Sequence, residues 1–555
     1  MPDLELSVSD VADDRRSRPL TVFETPSRSI LDLLGSQAVG KLTKHVLPGY
    51  LMERRWYAAK DSGVPNVGIA NSISLGSGDD AVILILDVAP ERQPVRKYLV
   101  PVSVLWDAEA PASAILAEVE HVSSRGVLVD AFADDRFIRS LVDRIGAGDD
   151  ADARKISGLI FRRSGLLDGS ARERAAEAGI QRSTAEQSNT SIRVGDIMLK
   201  GFRRLEPGIH PEVEIGRFLT EVAGFKNAPA LLGSVELVGP MGEGPTALCV
   251  LQTLIPNQGD GWAYVLERME IVSKEPDDRG RAEQQLIALA RRLGQRTAEL
   301  HHAFGIDTDD MAFASEPVQA DHLADWTRAL RASVGFIFEA LTQARPRLGP
   351  ASTHMADRLL RRRENLLAQI GDLMPAKVDV TKTRVHGDYH LGQVLVTDDD
   401  VFIIDFEGEP MRPLAERRGK HLPLRDVAGM LRSFQYAAAS GARTVRTDED
   451  AAVARLQACA CRMSATFLDA YGLAIRGCPS FPADIGQATD LLHLFLIEKA
   501  LYEVGYELAH RPDWVDIPLA GVFAIVDGAD SPGFSTPSAD NPAPHHESDR
   551  SGNRG

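Results

Sequence analysis

The residues best placed to do chemistry lie in one stretch of the 555-residue chain, "VHGDYHLGQVLVTDDDVFIIDFEGE", which begins at Val385. His386, Gly387 and Asp388 read as a tight turn, after which Leu391 to Val396 resume an apolar, strand-like run. The acidic turn Asp398–Asp400 leads into a second strand, "VFIID", which delivers Asp405 at its end. Two strands joined in this way bring their loop ends together, so Asp388, Gln393 and Asp405 are expected to face one pocket. Oxygen donors of this kind suit magnesium, which keeps several waters and shares phosphate oxygens. A carboxylate beside such an ion can also accept a hydroxyl proton, which is the logic of phosphoryl transfer. Taken singly, Asp388 could cap a turn and Asp405 could end a strand. The ordered set His-Gly-Asp, Gln and Asp-Phe-Glu is what points to a reaction.

A second phosphate-like signal fails on inspection. Residues 35–42, "GSQAVGKL", approach the Gly-x4-Gly-Lys-[Ser/Thr] loop, but Leu42 supplies no hydroxyl for a metal ion and no strand precedes it. The surrounding "SILDLLGSQAVGKLTKHVL" reads more simply as helices with a glycine break.

The elements that must position the first stretch follow from patterning. Residues 1–27 are polar and punctuated by proline, residues 528–555 are rich in Ser, Pro, Gly and Asp, and both are expected to be loose tails. Residues 28–110 pass from helix to strands, "DDAVILILDVA" and "RKYLVPVSVLW". Residues 111–255 hold a hairpin, "SIRV" and "IMLKGF" turning at Gly195-Asp196. A helix opened by Pro211 follows, with Ile215, Phe218, Leu219 and Val222 spaced for one face, and then the strand "TALCVLQTL", cut off by "IPN". Residues 256–527 are mostly helical, with Leu286, Leu289, Leu293 and Leu300 in a stripe. Strands first and helices later imply an α+β, bilobal body with chemistry where the lobes meet.

Composition narrows the function classes. Apolar residues make up 44% and charged residues 25%, the soluble globular range, and the net charge of −17 opposes non-specific binding to nucleic acid or anionic membranes. No run is long enough to span a bilayer and the N-terminus has no signal-peptide pattern, so a cytoplasmic protein is expected. Cys249, Cys459, Cys461 and Cys478 are too few to staple so large a chain and read as buried free thiols.

The catalytic-looking stretch, continued by "EPMRPLAERRGKHLPLRDVAGMLRSFQYAA", resembles the corresponding segment of the aminoglycoside-phosphotransferase-like kinases, relatives of the protein kinases. It is closer still to the maltokinase family. That likeness extends to "EKALYEVGYELAHRPDWVDIPLAG" (498–521), to "EQSNTSIRVGDIMLKGFRRLEPGIHPEVEIGRFLT" (186–220) and, more weakly, to "RRWYAAK" (54–60). Tyr389, where the family usually has Leu, and "WYAAK" in place of a glycine-containing cap motif are mild departures.

The resemblance implies a protein-kinase-like fold with an N-terminal cap subdomain (28–110), an N-lobe (111–255) and a helical C-lobe (256–527) carrying the catalytic and sugar sites. It implies ATP and Mg2+ as cofactors, Asp388 as catalytic base, and Gln393 and Asp405 as magnesium ligands with Glu407 close by. Lys200 would hold ATP phosphates and pair with a helix acid, Glu214 being expected over Glu212. Ser188, Asn189 and Thr190 would replace a glycine-rich phosphate loop, and residues 251–257 would join the lobes beside adenine.

His390, Glu498, Lys499, Tyr502 and Tyr506 would meet the sugar, with Glu503 on the same helix; residues 498, 502 and 506 share a helix face by spacing alone. Arg425 and Asp426 could instead form a structural ion pair. The implied reaction makes maltose 1-phosphate from maltose, feeding α-glucan (glycogen) synthesis with a link to trehalose synthase. Another sugar kinase, such as a glucosamine kinase, and a non-catalytic nucleotide-binding regulator are the alternatives. The extra length in residues 107–185 carries no functional reading.

Overall fold

A computed structural model describes residues 20–528 and 532–534, except 58, 76–80, 92, 123, 149–154, 157, 184–188, 240–243, 275–278 and 445–449. Most of both expected tails, and Ser188, lie outside the described residues. The chain divides into two units, Met1–Tyr264 with His386–Gly419, and Val265–Val385 with Lys420–Gly555. The catalytic-looking stretch therefore packs with the strand-rich unit, whereas sequence order had grouped it with the helices.

The first unit contains two seven-stranded sheets. One is built from β1 (Val22–Glu24), β2 (Asn66–Ser74), β3 (Ala81–Ala89), β4 (Arg96–Trp106), β5 (Ile115–His121) and β6 (Ser124–Asp130), in the order β1-β5-β6-β4-β3-β2. The sheet thus runs past the change at residue 110 that composition indicates. Residues 22–24, expected in a loose tail, pair parallel to β5 with Val22 opposite Glu118, because Phe23 is buried and anchors them.

The continuous apolar run of β3 is explained by burial on both faces. Val82, Leu84, Leu86 and Val88 join a core with the N-terminal helices, whereas Ala81, Ile83 and Ile85 join the core of the second sheet. The Gly-Lys motif at 35–42 is helical, as Ser36–Lys41 followed by the π-helical turn Leu42–Val46.

The second sheet comprises β7 (Lys155–Ile156), β8 (Leu159–Arg163), β9 (Ile180–Arg182), β10 (Asn189–Val194), β11 (Ile197–Phe202), β13 (Leu231–Leu237) and β14 (Thr246–Thr253), in the order β7-β8-β13-β14-β11-β10-β9. The short β12 (Arg204–Leu205) leaves β11 and pairs with β4, so one chain segment serves both sheets. The helix Pro211–Arg217 follows and becomes π-helical over Phe218–Ala223. The wider turn breaks the expected face: Ile215, Phe218 and Leu219 are buried, but Val222 is exposed.

In the second unit the strands β15 (Glu316–Pro317) and β16 (Thr381–Lys382) form a short ladder among helices. The helix Arg279–Phe304 buries Leu286, Leu289, Leu293 and Leu300, as the stripe requires. Three cysteines are buried, but Cys461 is exposed, because it stands two residues from buried Cys459 on one helix and so faces another side. Among the described residues no helix is long and apolar enough to cross a membrane.

Candidate active site

The antiparallel hairpin of β10 and β11 turns at Gly195-Asp196, with Gly195 at φ 60°, and its register sets Ser191 opposite Lys200. β14 flanks β11 on its other edge, pairing Val250 with Lys200. In the same unit β17 (Val394–Val396) and β18 (Val401–Ile403) form the hairpin read from the acidic turn. Beyond β18 the backbone bends at Asp405, a non-glycine residue at φ 62°. That left-handed conformation is costly without a glycine and persists only where surrounding contacts fix it.

These elements enclose a cavity of about 440 Å³ lined, among others, by Asn189, Lys200, Asp388, Gln393, Asp405 and Glu407. Gln252 to Ile255 and Asn257 line it as well, from the segment expected beside adenine.

Lys200 is the electrostatic centre of this cavity. Its ammonium lies 2.6 Å from Asp405, 2.7 Å from Glu407 and 3.9 Å from Glu212. Burial alone would favour the neutral amine, but the three carboxylates outweigh it and hold the pKa well above the usual lysine value.

The acids do not share that benefit equally. Partial burial works against the charged form of Glu407, yet Lys200 and then His210 drive its pKa down to about 2. For Glu212, more distant from the ammonium, burial dominates and pushes the pKa up to about 7. One Glu212 oxygen accepts from the Gln252 amide at 2.9 Å, and the other is buried without a partner among the described residues.

The helix acid nearest Lys200 is therefore Glu212, not Glu214 as expected from the sequence. Glu214 instead receives two hydrogen bonds from Arg418, at 3.0 and 2.7 Å. Asn189 donates to Glu407 at 2.8 Å, and Thr190 accepts from Arg203 at 2.6 Å. Both lie on β10 and not in a free loop. His390 lies 3.9 Å from the Asp388 carboxylate, and its Nδ1 accepts from the Gly392 amide at 3.0 Å.

The proposed sugar residues of the second unit form their own cluster on the helix Ile485–His510. Tyr502 and Tyr506 stack at 6.5 Å, and the Lys499 ammonium lies 4.9 Å from the Tyr502 ring. Glu498 pairs with Arg425 at 2.8 Å, and Glu503 with Arg432 at 2.6 Å. Asp426 lies 3.2 Å from buried His301.

Sequence reading missed Arg417, Arg418 and His210. Nothing in their spacing marked them; only the fold carries Arg418 to an acid 204 residues away. Among the described residues no group of three or more His, Cys, Asp or Glu could hold a metal ion alone. The cavity's donor set of amide and carboxylate oxygens fits magnesium, provided water and phosphate complete the shell.

An α+β fold whose buried strand lysine and aspartate-bearing hairpin loops line one cavity, with a helix glutamate buried behind the lysine, defines a protein-kinase-like phosphotransferase. The chain belongs to the phosphotransferase enzyme family, whose pattern matches residues 185–459, and it carries a maltokinase N-terminal cap domain over residues 50–134. It is an ATP-dependent sugar kinase of that family.

A glucosamine kinase of Mycolicibacterium smegmatis is 29% identical over 352 residues, covering 62% of this chain and 79% of the relative. One from Streptacidiphilus jiangxiensis is 26% identical over 336 residues, covering 60% and 70%. A solved glucosamine kinase in complex with glucosamine, ADP and inorganic phosphate shares the fold, with a TM-score of 0.60 and 20% identity over 88% of this chain and 98% of that one.

Proposed function

We propose that the chain phosphorylates the anomeric hydroxyl of maltose with ATP, giving maltose 1-phosphate and ADP. The observation that carries this reading is the pairing of a maltokinase-type cap with a phosphotransferase module whose Lys200, Asp388, Gln393 and Asp405 line one cavity. Asp388 takes or orients the hydroxyl proton while the sugar oxygen bonds to the γ-phosphorus. The bond from that phosphorus to the β,γ-bridging oxygen breaks, and its electron pair leaves with ADP. Lys200 offsets charge on the phosphates, and Asn189 stands on the edge of β10 beside the same cavity. Gln393 and Asp405 would hold magnesium, which when bound neutralises charge on the phosphate oxygens. Lys499, Tyr502 and Tyr506 offer the mixture of donors and apolar rings that a disaccharide needs. The product would enter α-glucan synthesis, with trehalose synthase supplying maltose.

Glucosamine is the second reading, favoured by the names of the curated relatives. The test is ADP release with maltose, glucose, glucosamine and trehalose, followed by NMR of the product. Maltose-dependent turnover to an anomeric phosphate is the expected result. Preference for glucosamine, or phosphate elsewhere on the ring, would overturn the substrate. Silence with every sugar despite nucleotide binding would favour a regulatory role.

A further inference from the structure

The helix carrying Glu212 is α-helical only over Pro211–Arg217 before it turns π-helical over Phe218–Ala223, and its N-cap residue His210 makes no side-chain capping bond. A helix this short does not hold itself in water, so tertiary contacts must fix it. Buried Val213, Ile215, Phe218 and Leu219 supply apolar contacts, and two adjacent arginines add directional polar ones. Arg418 grips Glu214 in a bidentate pair, and Arg417 hydrogen-bonds Glu206 in the segment just before the helix.

Arg417 also donates to the backbone carbonyl of Glu407 at 3.0 Å, with its side chain 5% exposed. Its stem lies against Gly408, where an added Cβ would stand 3.2 Å from Arg417 Cβ and Cγ. Gly408 in turn abuts Gly387, the residue before Asp388; a Cβ on Gly387 would lie 3.5 Å from Gly408 Cα. A continuous set of contacts thus joins the Glu212 helix to the Asp405–Glu407 turn and to the loop bearing Asp388.

We propose that Arg417 and Arg418 are positioning residues, an ionic clasp that holds the Glu212 helix and the Glu407 turn on either side of Lys200 in the arrangement the nucleotide requires. The proposal rests on the phosphotransferase reading of the cavity. Bidentate Arg–carboxylate pairs fix direction as well as distance, which a lysine would not. Loss of the clasp frees the helix to move away from Lys200, and the cavity then spends binding energy on reordering it.

The test measures ADP affinity in the presence of magnesium by titration calorimetry, together with thermal midpoints, for the full-length chain. Arg418→Gln and Glu214→Gln are each expected to weaken ADP about tenfold, with the double variant no worse than either single one. The charge exchange, Glu214→Arg with Arg418→Glu, should recover most of the affinity. Because this pair is partly exposed, the thermal midpoints should shift little. Arg417→Lys, which keeps the charge but not the fork, should weaken ADP while remaining folded.

Unchanged ADP affinity in the folded variants, or additive losses in the double variant, would overturn the clasp. A loss of thermal stability with intact ADP affinity would reduce the arginines to structural supports and overturn it equally. Failure of the unmodified chain to bind ADP would instead refute the phosphotransferase reading.

Discussion

In the first unit Lys200 stands among three carboxylates, Asp405 at 2.6 Å, Glu407 at 2.7 Å and Glu212 at 3.9 Å. In the second, Glu316 stands between two ammoniums, Lys420 at 2.6 Å and Lys382 at 2.8 Å. The Lys200 side chain is 9% exposed and that of Glu316 is 43% exposed. Acid exceeds base in the first cluster, inside a cavity, where an uncompensated carboxylate is costly. Such an excess persists where a site is built to receive positive charge. In the second cluster the carboxylate itself reaches water, although its lysines are largely buried, so solvent screens the ion pairs and they add little. The same groups thus belong to the proposed working site in one place and to a structural tie in the other.

The most severe way to test the working site is Asp388→Asn, which keeps size and removes the proton acceptor. Turnover should fall by about 10²–10⁴-fold, with ADP affinity unchanged in calorimetry. Near-normal turnover would remove Asp388 from the base role. Lys200→Met should cost less in rate terms but more in fold. It strands Asp405 and Glu407, and about 3 kcal/mol of stability should be lost in urea unfolding, together with ADP affinity. If the variant unfolds like the parent and still binds ADP, the cluster does not serve the nucleotide.

The chemistry-bearing turns were legible because local patterning encodes them. Gly195-Asp196 marks its own hairpin, and apolar runs broken by Asp398–Asp400 mark another. The identity of the lysine's helix partner was not legible. Glu212 and Glu214 are two residues apart and chemically alike, and which one turns towards Lys200 depends on how the fold rotates their helix, with Glu214 meeting Arg418 instead. Val222 was misread for a related reason, since a π-helical turn leaves no mark in apolar spacing. β1 and β12 escaped because two or three residues carry too little pattern to announce a strand.

A subtler contrast between the clusters is the sign of their pH dependence. Burial first, only partly opposed by Lys200, raises the Glu212 pKa from 4.5 to about 7. Between those values the folded chain keeps a proton that the unfolded chain has released. The contribution of Glu212 is therefore full below the lower value and is lost as pH rises through the upper one. Glu212→Gln should flatten that part of the stability profile relative to the parent, while lowering ADP affinity by loosening Lys200. An identical slope in parent and variant, read by urea unfolding across the window, would assign the titration to another group.

Glu316 should behave in the opposite sense and more weakly. Its hydrogen bonds from Lys382 and then Lys420 lower its pKa from 4.5 to about 2. Here the unfolded chain binds the extra proton, so the stabilising contribution is full above the upper value and is lost as pH falls through the lower one. Glu316→Gln should remove that acid-side loss and leave the neutral range and ADP affinity unchanged. Because the carboxylate is 43% exposed, solvent screens the pair and the effect should shrink further in about 1 M salt. A salt-insensitive effect, or any change in nucleotide binding, would mean that this cluster is not the self-contained tie its geometry describes.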